Sequence, residues 1–516
     1  MIRILGNEII INQDYHGSYG LYIYEKRFPE YFALSNSFLF LLEYLVEKQN
    51  ISLNKDFADN FVITDLHTYS ISETMIKEIK RIPSNAYIII NKTNKLIQFK
   101  YIDYKENTIK LETEEGLKII DKWVDKWAFI FRSVKQKTSN FNFDLSGGFD
   151  TRVVLSILLS SGLDLKNISF YSNTNKIRGH DEDFKIANLI SSKLGFILNN
   201  LNFDNNFIRW SVKDELFGSI YTKLGFHKDF YIKNGFYKVP RFSFGGGGGE
   251  TIRGSPGLPI GKYLENLFSR GKRIIGHEGD FFNSSMRLYN RSINLLLEDK
   301  KYESDFEVAF DLYSNSLKNH CGKRAVEGFM SNYYYIYPLI DPDIRKIKYD
   351  TKGESPHDLL AYIYVRFASD LINFPFQGKR TINPESIKKA NKLNNQLKPY
   401  EIKKDFCTNF FLDNNKFCPV SKAKSNKDYQ VFLKQLFNSA KFIRIINSIY
   451  DKDVYNWSKE NSEKTNFFNI RPVNGLLAIA VIKEFLFLNQ KYLKKGYIGM
   501  KYYRELTIIN YIMKQL

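Results

Sequence analysis

The residues with the clearest chemical potential in this chain are Ser146-Gly147-Gly148-Phe149-Asp150-Thr151. Two adjacent glycines let backbone N–H groups approach an anion closely, and Ser146 and Thr151 add hydroxyl donors. Asp150 adds a carboxylate that would repel phosphate unless a metal lay between them, so a phosphate carried with Mg²⁺ fits better than a bare anion. The flanking segments supply what such a site needs. Residues 141–145 read as a short strand, and 153–159 as a helix with Val153, Val154, Ile157 and Leu158 apolar. A strand, a glycine turn and a helix N-terminus together bind anions through converging N–H groups and the helix dipole. The plain alternative is an ordinary Gly-Gly turn. The Ser before it and the Asp-Thr after it, in the right elements, weigh against that.

The motif is not the common P-loop, since G-x-x-x-x-G-K-[ST] has no match in this loop. It resembles the pyrophosphate loop S-G-G-x-D-[ST] of ATP pyrophosphatases, and its flanks are similar to those of the asparagine synthetase family. The resemblance implies that ATP and Mg²⁺ are bound and that ATP is split between its α and β phosphates. It implies nucleotide contacts from Leu145, Ser146, Gly147, Gly148, Asp150 and Thr151. The adenine pocket would lie at Leu145 and Tyr171, at the ends of neighbouring strands, with Ser172 beside it.

A second glycine-rich stretch runs Phe242-Ser-Phe-Gly-Gly-Gly-Gly-Gly-Glu-Thr-Ile-Arg-Gly254. Five glycines suit a flexible linker, yet they follow an apolar strand-like pair and are closed by Glu250. The family has a loop of the form G-[ED]-G-[AG]-D-E-x-x-x-G at this place. Aligned on Glu250 and Gly254, Gly246 stands at the family's first acid and Gly249 at its metal-binding Asp. The resemblance therefore leaves Asp150 and Glu250 as metal ligands and Gly245, Gly246 and Gly247 as nucleotide contacts. Tyr335-Ile-Tyr-Pro-Leu-Ile-Asp-Pro342 resembles a segment packed beside the family's active site, with Ile336 in place of its Arg; a Pro turn after an aromatic helix is the plain alternative. Phe374-Pro-Phe-Gln-Gly-Lys-Arg-Thr381 lies where the family places a Lys on the leaving phosphates. Lys379 is the candidate and Arg380 its rival. Asp181-Glu182-Asp183 occupies the place of a family acidic pair, although an acidic first helical turn favoured by the dipole explains it as well.

Hydrophobic periodicity organises the rest. Residues 8–11 and 21–24 read as strands, 38–47 as a helix, 87–90 and 96–101 as a hairpin, and 117–135 as an amphipathic helix. Strand candidates at 168–172 and 196–201 alternate with helices after the first loop. That spacing means a doubly wound parallel α/β sheet, with ligands at the carboxyl ends of its strands. Three segments follow: a β-rich domain over 1–115, a pyrophosphate-loop domain over 116–395, and a helical region over 396–516 packing on the synthetase-like part. Residues 31–38 resemble the glutaminase domain of asparagine synthetases. That domain needs an N-terminal cysteine nucleophile, whereas residue 2 is Ile2 and no cysteine precedes Cys321. Glutamine hydrolysis is therefore not expected, and ammonia or an amine must come from outside.

The 516 residues exceed one hydrophobic core, and 43 Phe and 34 Tyr can fill several. Cys321, Cys407 and Cys418 form no C-x-x-C, and the seven histidines form no H-E-x-x-H, which argues against a disulfide framework or a zinc site. The N-terminus lacks a signal-peptide core, and residues 475–488 are too short to span a bilayer, so a soluble cytoplasmic protein without a transmembrane segment is expected. The formal charge of +19 invites a nucleic-acid partner, but the lysines are dispersed and mixed with acids, so no specific nucleic acid is expected. The expected activity is an ATP-dependent, AMP-forming amide ligase joining a small-molecule carboxylate, such as a uronic acid of a surface polysaccharide, to ammonia or a small amine. Its rivals are an RNA-modifying adenylating enzyme and a catalytically inactive nucleotide-binding interaction protein.

Overall fold

A computed structural model describes residues 2–12, 20–27, 31–46, 49–63, 70, 72–83, 86–94, 96–101, 109–174, 180–199, 207–208, 236–249, 252, 279–298, 308, 312, 331–348, 357–401, 435–450, 454, 456, 459–460, 475–483 and 486. The N-terminal part is antiparallel. It contains β1 (Ile2–Leu5), β2 (Glu8–Asn12), β3 (Tyr22–Arg27), β4 (Tyr31–Ser35), α1 (Phe38–Val46), α2 (Lys55–Ile63), β5 (Ile79–Arg81), β6 (Ala86–Asn91) and β7 (Leu96–Tyr101). Four of these strands form a sheet in the order β1-β2-β6-β7, and three more form β4-β3-β5. In β6 the inward set Ala86, Ile88 and Ile90 alternates with outward residues, as period two requires. The expected hairpin pairs Asn91 with Leu96 and Ala86 with Tyr101.

After β8 (Ile109–Lys110), α3 (Glu114–Lys137) begins where the Thr113 side chain accepts from the Gly116 N–H. Glu114 and Glu115 in its first turn and Lys135 and Lys137 in its last complement the helix dipole. Its apolar stripe, including Trp123, Val124, Trp127 and Phe131, is buried.

A parallel sheet then forms around β9 (Phe141–Asp144). The chain continues through α4 (Phe149–Ser160), β10 (Ser169–Tyr171), α5 (His180–Leu194), the short pair β11 (Phe207–Ile208) and β12 (Phe236–Tyr237), and β13 (Arg241–Phe244). It goes on through α6 (Gly279–Glu298), β14 (Tyr333–Ile336), β15 (Ile347–Lys348), α7 (Asp358–Phe367), α8 (Pro384–Asn394) and α9 (Ala440–Asn447). The order across the sheet is β10-β9-β13-β14, every pair parallel. Leu198 bridges in parallel to Phe170 on the outer side of β10. One face carries Phe141, Phe143, Phe170 and Phe244, all fully buried. Phe131 of α3 packs edge-on to Phe141 and Phe244 at 5.8 and 4.7 Å. Burying a side chain of that size contributes about 1.5–3 kcal/mol. Tyr333–Ile336 is a strand, not the aromatic helix that the sequence also allowed, because its β-favouring tyrosines pair along β13.

The cores do not follow chain order. One joins α3, α4, the parallel sheet, α7 and α8. Another joins α1 and α2 to α6, α9 and the helical residues 475–483. The C-terminal residues thus pack with N-terminal helices as well as with α6. Among the described residues, no helix is long and apolar enough to cross a membrane.

Candidate active site

The order of strands across the sheet changes direction between β9 and β13, and loops leaving the carboxyl ends of open α/β sheets make ligand crevices at such points. Both glycine stretches leave the sheet there. The first is folded by its own polar groups. The Ser146 N–H donates to Thr151 Oγ1 at 3.2 Å, the Thr151 hydroxyl donates to Ser146 O at 3.2 Å, and the Gly148 N–H donates to Ser146 Oγ at 3.2 Å. Gly148 starts α4 without any side-chain cap, and Asp150 lies in its first turn. The positive helix end is therefore left to whatever anion approaches.

The Gly147 peptide is held from both sides. Its N–H donates to Asp183 Oδ1 at 2.8 Å. Its carbonyl accepts from the Gln377 N–H at 3.0 Å and from Arg152 Nη2 at 3.1 Å. Asp183 is buried and also 3.3 Å from His180. The acidic stretch thus does more than complement the dipole of α5: Asp183 secures the first loop, and Glu182 accepts from the Gly378 N–H at 3.0 Å.

The second stretch is no linker. A Cβ added to Gly246 would lie 2.5 Å from the Thr151 N, and one on Gly249 2.0 Å from the Asp150 carboxylate carbon. At Gly246 backbone lies against backbone, which leaves no room for a Cβ, and at Gly249 the Asp150 side chain fills that room. Tyr337 and Ile340, from the segment after β14, pack against Gly247 and Gly248. That segment is anchored where Trp123 Nε1 donates to Pro338 O and Trp127 Nε1 to Asp341 Oδ2, at 3.2 and 2.9 Å. Gly245 lies over Asp144, whose carboxylate accepts from the Ser243 hydroxyl at 3.1 Å.

Ser172, past the end of β10, is buried, and its hydroxyl has no hydrogen-bond partner among the described residues. Its main chain is bracketed by Asn199, whose Oδ1 accepts from the Ser172 N–H and whose Nδ2 donates to Ser172 O, at 2.9 and 3.1 Å. Asn199 adopts φ of +57° to do so. Tyr171 is partly exposed, and burial together with the nearby Asp144 charge raises its hydroxyl pKa. Leu145 buries its side chain in the core, and its amide donates to Tyr171 O at 2.8 Å.

The turn 377–380 lies beside the loop. Gly378 and Lys379 have φ of +70° and +56°, so Lys379 adopts a left-handed backbone that a non-glycine residue enters at a cost. Arg380 is engaged. Its Nε donates to Gln377 O at 2.8 Å, and its guanidinium lies 5.2 Å from the Phe149 ring centre. Lys379 is exposed and makes no ion pair with a described residue. Of the two rivals, Lys379 is the one whose ammonium makes no hydrogen bond to a described residue.

Glu250 lies outside the described residues. Among the described residues no three His, Cys, Asp or Glu side chains converge as a metal cage. Mg²⁺ commonly takes one or two protein carboxylates and completes its shell with phosphate oxygens and water. Asp150 in the first turn of α4 fits that mode, in which the metal arrives with the phosphates. No protein-family model matches the chain, and no curated protein matches it.

Sequence reasoning missed Arg152, Asn199 and Asp144. Arg152 is signalled only by being the one basic residue on a mostly apolar helix. Asn199 and Asp144 carry no local signal.

Proposed function

We propose that this chain is an ATP-dependent, AMP-forming amide ligase whose parallel sheet is the doubly wound core of a pyrophosphate-loop domain. The observation that carries this reading is the meeting of the two glycine loops at the change of strand order, over the uncapped N-terminus of α4. The buried Ser172 hydroxyl, without a partner among the described residues, supports it, since buried polar groups are mostly hydrogen-bonded to protein, water or ligand.

ATP would lie with its base at Leu145, Tyr171 and Ser172 and its phosphates at 146–151. A substrate carboxylate oxygen attacks the α-phosphorus as the bond to pyrophosphate breaks, and an amine then displaces AMP to leave the amide. Mg²⁺, held by Asp150, would neutralise phosphate charge. The chain's contribution is a set of fixed donors, which need no reorganisation as charge builds on the leaving group. The Ser146 and Thr151 hydroxyls and the first-turn N–H groups of α4 face it from one side. Lys379 supplies a point charge from the other. A single well-placed donor of this kind contributes about 3–4 kcal/mol to a rate.

One observation favours a second reading, nucleotide binding without turnover. Gly249 packs on the Asp150 carboxylate, which leaves no space at that position for a second acid. The experiment is nucleotide release across a panel of uronic acids and other carboxylates with ammonia, ethanolamine or amino acids. AMP and pyrophosphate are the expected products. ADP and phosphate would rule the mechanism out. ATP binding without release of either would favour the second reading.

A further inference from the structure

Arg152 is fully buried, on α4 next to Thr151. Its Nη1 donates to Leu371 O and Phe374 O at 3.3 and 3.1 Å, and its Nη2 to Gly147 O at 3.1 Å and to Pro375 O. The guanidinium stacks 3.8 Å from the Phe376 ring centre. Among the described residues no carboxylate is its partner, and its Nε has none. A buried cation satisfied by carbonyls and one ring face is costly to keep, and its lowered pKa of about 10, caused chiefly by burial, still leaves it charged at neutral pH. If α4 needed only a staple to the 371–375 segment, an uncharged side chain would serve with less desolvation.

The carbonyls it gathers belong to the two pieces that face the ligand. One is Gly147 of the anion loop. The others lead directly into the turn carrying Lys379, which a second contact, Gln377 N–H to Gly147 O, joins to the same peptide. A trans peptide points its carbonyl and the following N–H in opposite directions. Holding the Gly147 carbonyl on the Arg152 side therefore aims the Gly148 N–H away from it, towards Ser146 Oγ.

We propose that Arg152 is a positioning residue that locks the anion loop and the Lys379 turn into one register for pyrophosphate, and that bound pyrophosphate supplies negative charge that its described carbonyl partners do not. This rests on the nucleotide reading above. The test is calorimetric titration of the full chain with Mg²⁺-pyrophosphate, alongside its melting temperature with and without that probe. The variants are R152M, R152K, K379M and R152M/K379M.

The wild type is expected to bind and to melt higher in its presence. R152M and K379M should each weaken binding at least tenfold. The double variant should be weaker than the worse single variant by less than threefold, because both act through one turn. R152K keeps the charge but cannot fork between carbonyls, and should weaken binding at least threefold; it carries the test if R152M does not fold. Lower melting temperatures with unchanged pyrophosphate affinity in both Arg152 variants would make Arg152 a fold residue and overturn the proposal. So would losses that multiply fully in the double variant. Failure of the wild type itself to bind would overturn the nucleotide reading, and the proposal with it.

Discussion

Gly249 presses on Asp150 so closely that a Cβ there would fall 2.0 Å from the carboxylate carbon and 2.3 Å from Oδ1. Placing an acid at this position, as the resemblance to asparagine synthetases would suggest, should therefore not create a second metal ligand. Gly249→Asp and Gly249→Ala are both expected to force the loop off α4. Overpacking of this sort costs about 1–3 kcal/mol. Chemical denaturation should show that loss, and Mg²⁺-ATP affinity should fall in both variants. An Asp variant that binds Mg²⁺-ATP more tightly than wild type would contradict this packing.

Lys379 and Arg380 should separate cleanly. Lys379→Gly relieves a left-handed non-glycine backbone and is expected to leave stability unchanged or raised by up to about 1 kcal/mol, while pyrophosphate affinity drops. Arg380→Ala removes its contacts with Gln377 and Phe149, and should lower the melting temperature more than it lowers affinity. The reverse pattern would make Arg380 the phosphate cation.

Asp183→Ala leaves the buried Gly147 N–H without its acceptor, a cost of about 1–3 kcal/mol. Asp183→Asn keeps an acceptor oxygen and should cost less. Hydrogen exchange at Gly147 is the direct readout: fast in the Ala variant, protected in wild type. Equal protection in both would remove Asp183 from the loop's support.

Stability should depend on pH through Glu43, whose partial burial pushes its carboxyl pKa up from 4.5 to about 7. The folded chain then holds a proton that the unfolded chain releases between those values. This contribution is complete below about pH 4.5 and is lost as the pH rises through 7. Glu43→Gln is expected to raise the melting temperature at pH 8, where the buried charge is costly, and to leave it nearly unchanged at pH 5. Allowing for partial exposure, the difference is about 1–2 kcal/mol. A variant with the same pH dependence as wild type would assign that dependence to other groups.

The strand, S-G-G-x-D-T turn and helix were legible because all their information is local: an apolar run, turn glycines, then helical spacing. The β6–β7 hairpin was legible for the same reason. The five glycines were ambiguous, since a linker and a close-packed loop share one composition, and the outcome depends on Asp150 and Tyr337 arriving from elsewhere. Asp183 shows locally only an acidic first turn, since its bond to Gly147 spans 36 positions. Arg152 reaches 219–223 positions ahead, beyond any window of periodicity. Tyr333–Ile336 needed its neighbour β13 before strand could be preferred to helix.

The shared core of α1, α2, α6 and residues 475–483 has a consequence for synthesis. Gly475 lies against Phe61 and Val62, the Tyr450 hydroxyl reaches Asp59 at 3.0 Å, and Arg287 and Arg291 clasp Asp56. A ribosome releases the first of these partners long before the last. At about 5–20 residues per second, α1 and α2 wait some twenty seconds or more for the helix that covers them. Until then their apolar faces are covered at most in part, by α6 once it has emerged, so the N-terminal helices are where a nascent chain would recruit a chaperone, and a ribosome stalled before residue 475 would hold an incomplete hydrophobic core.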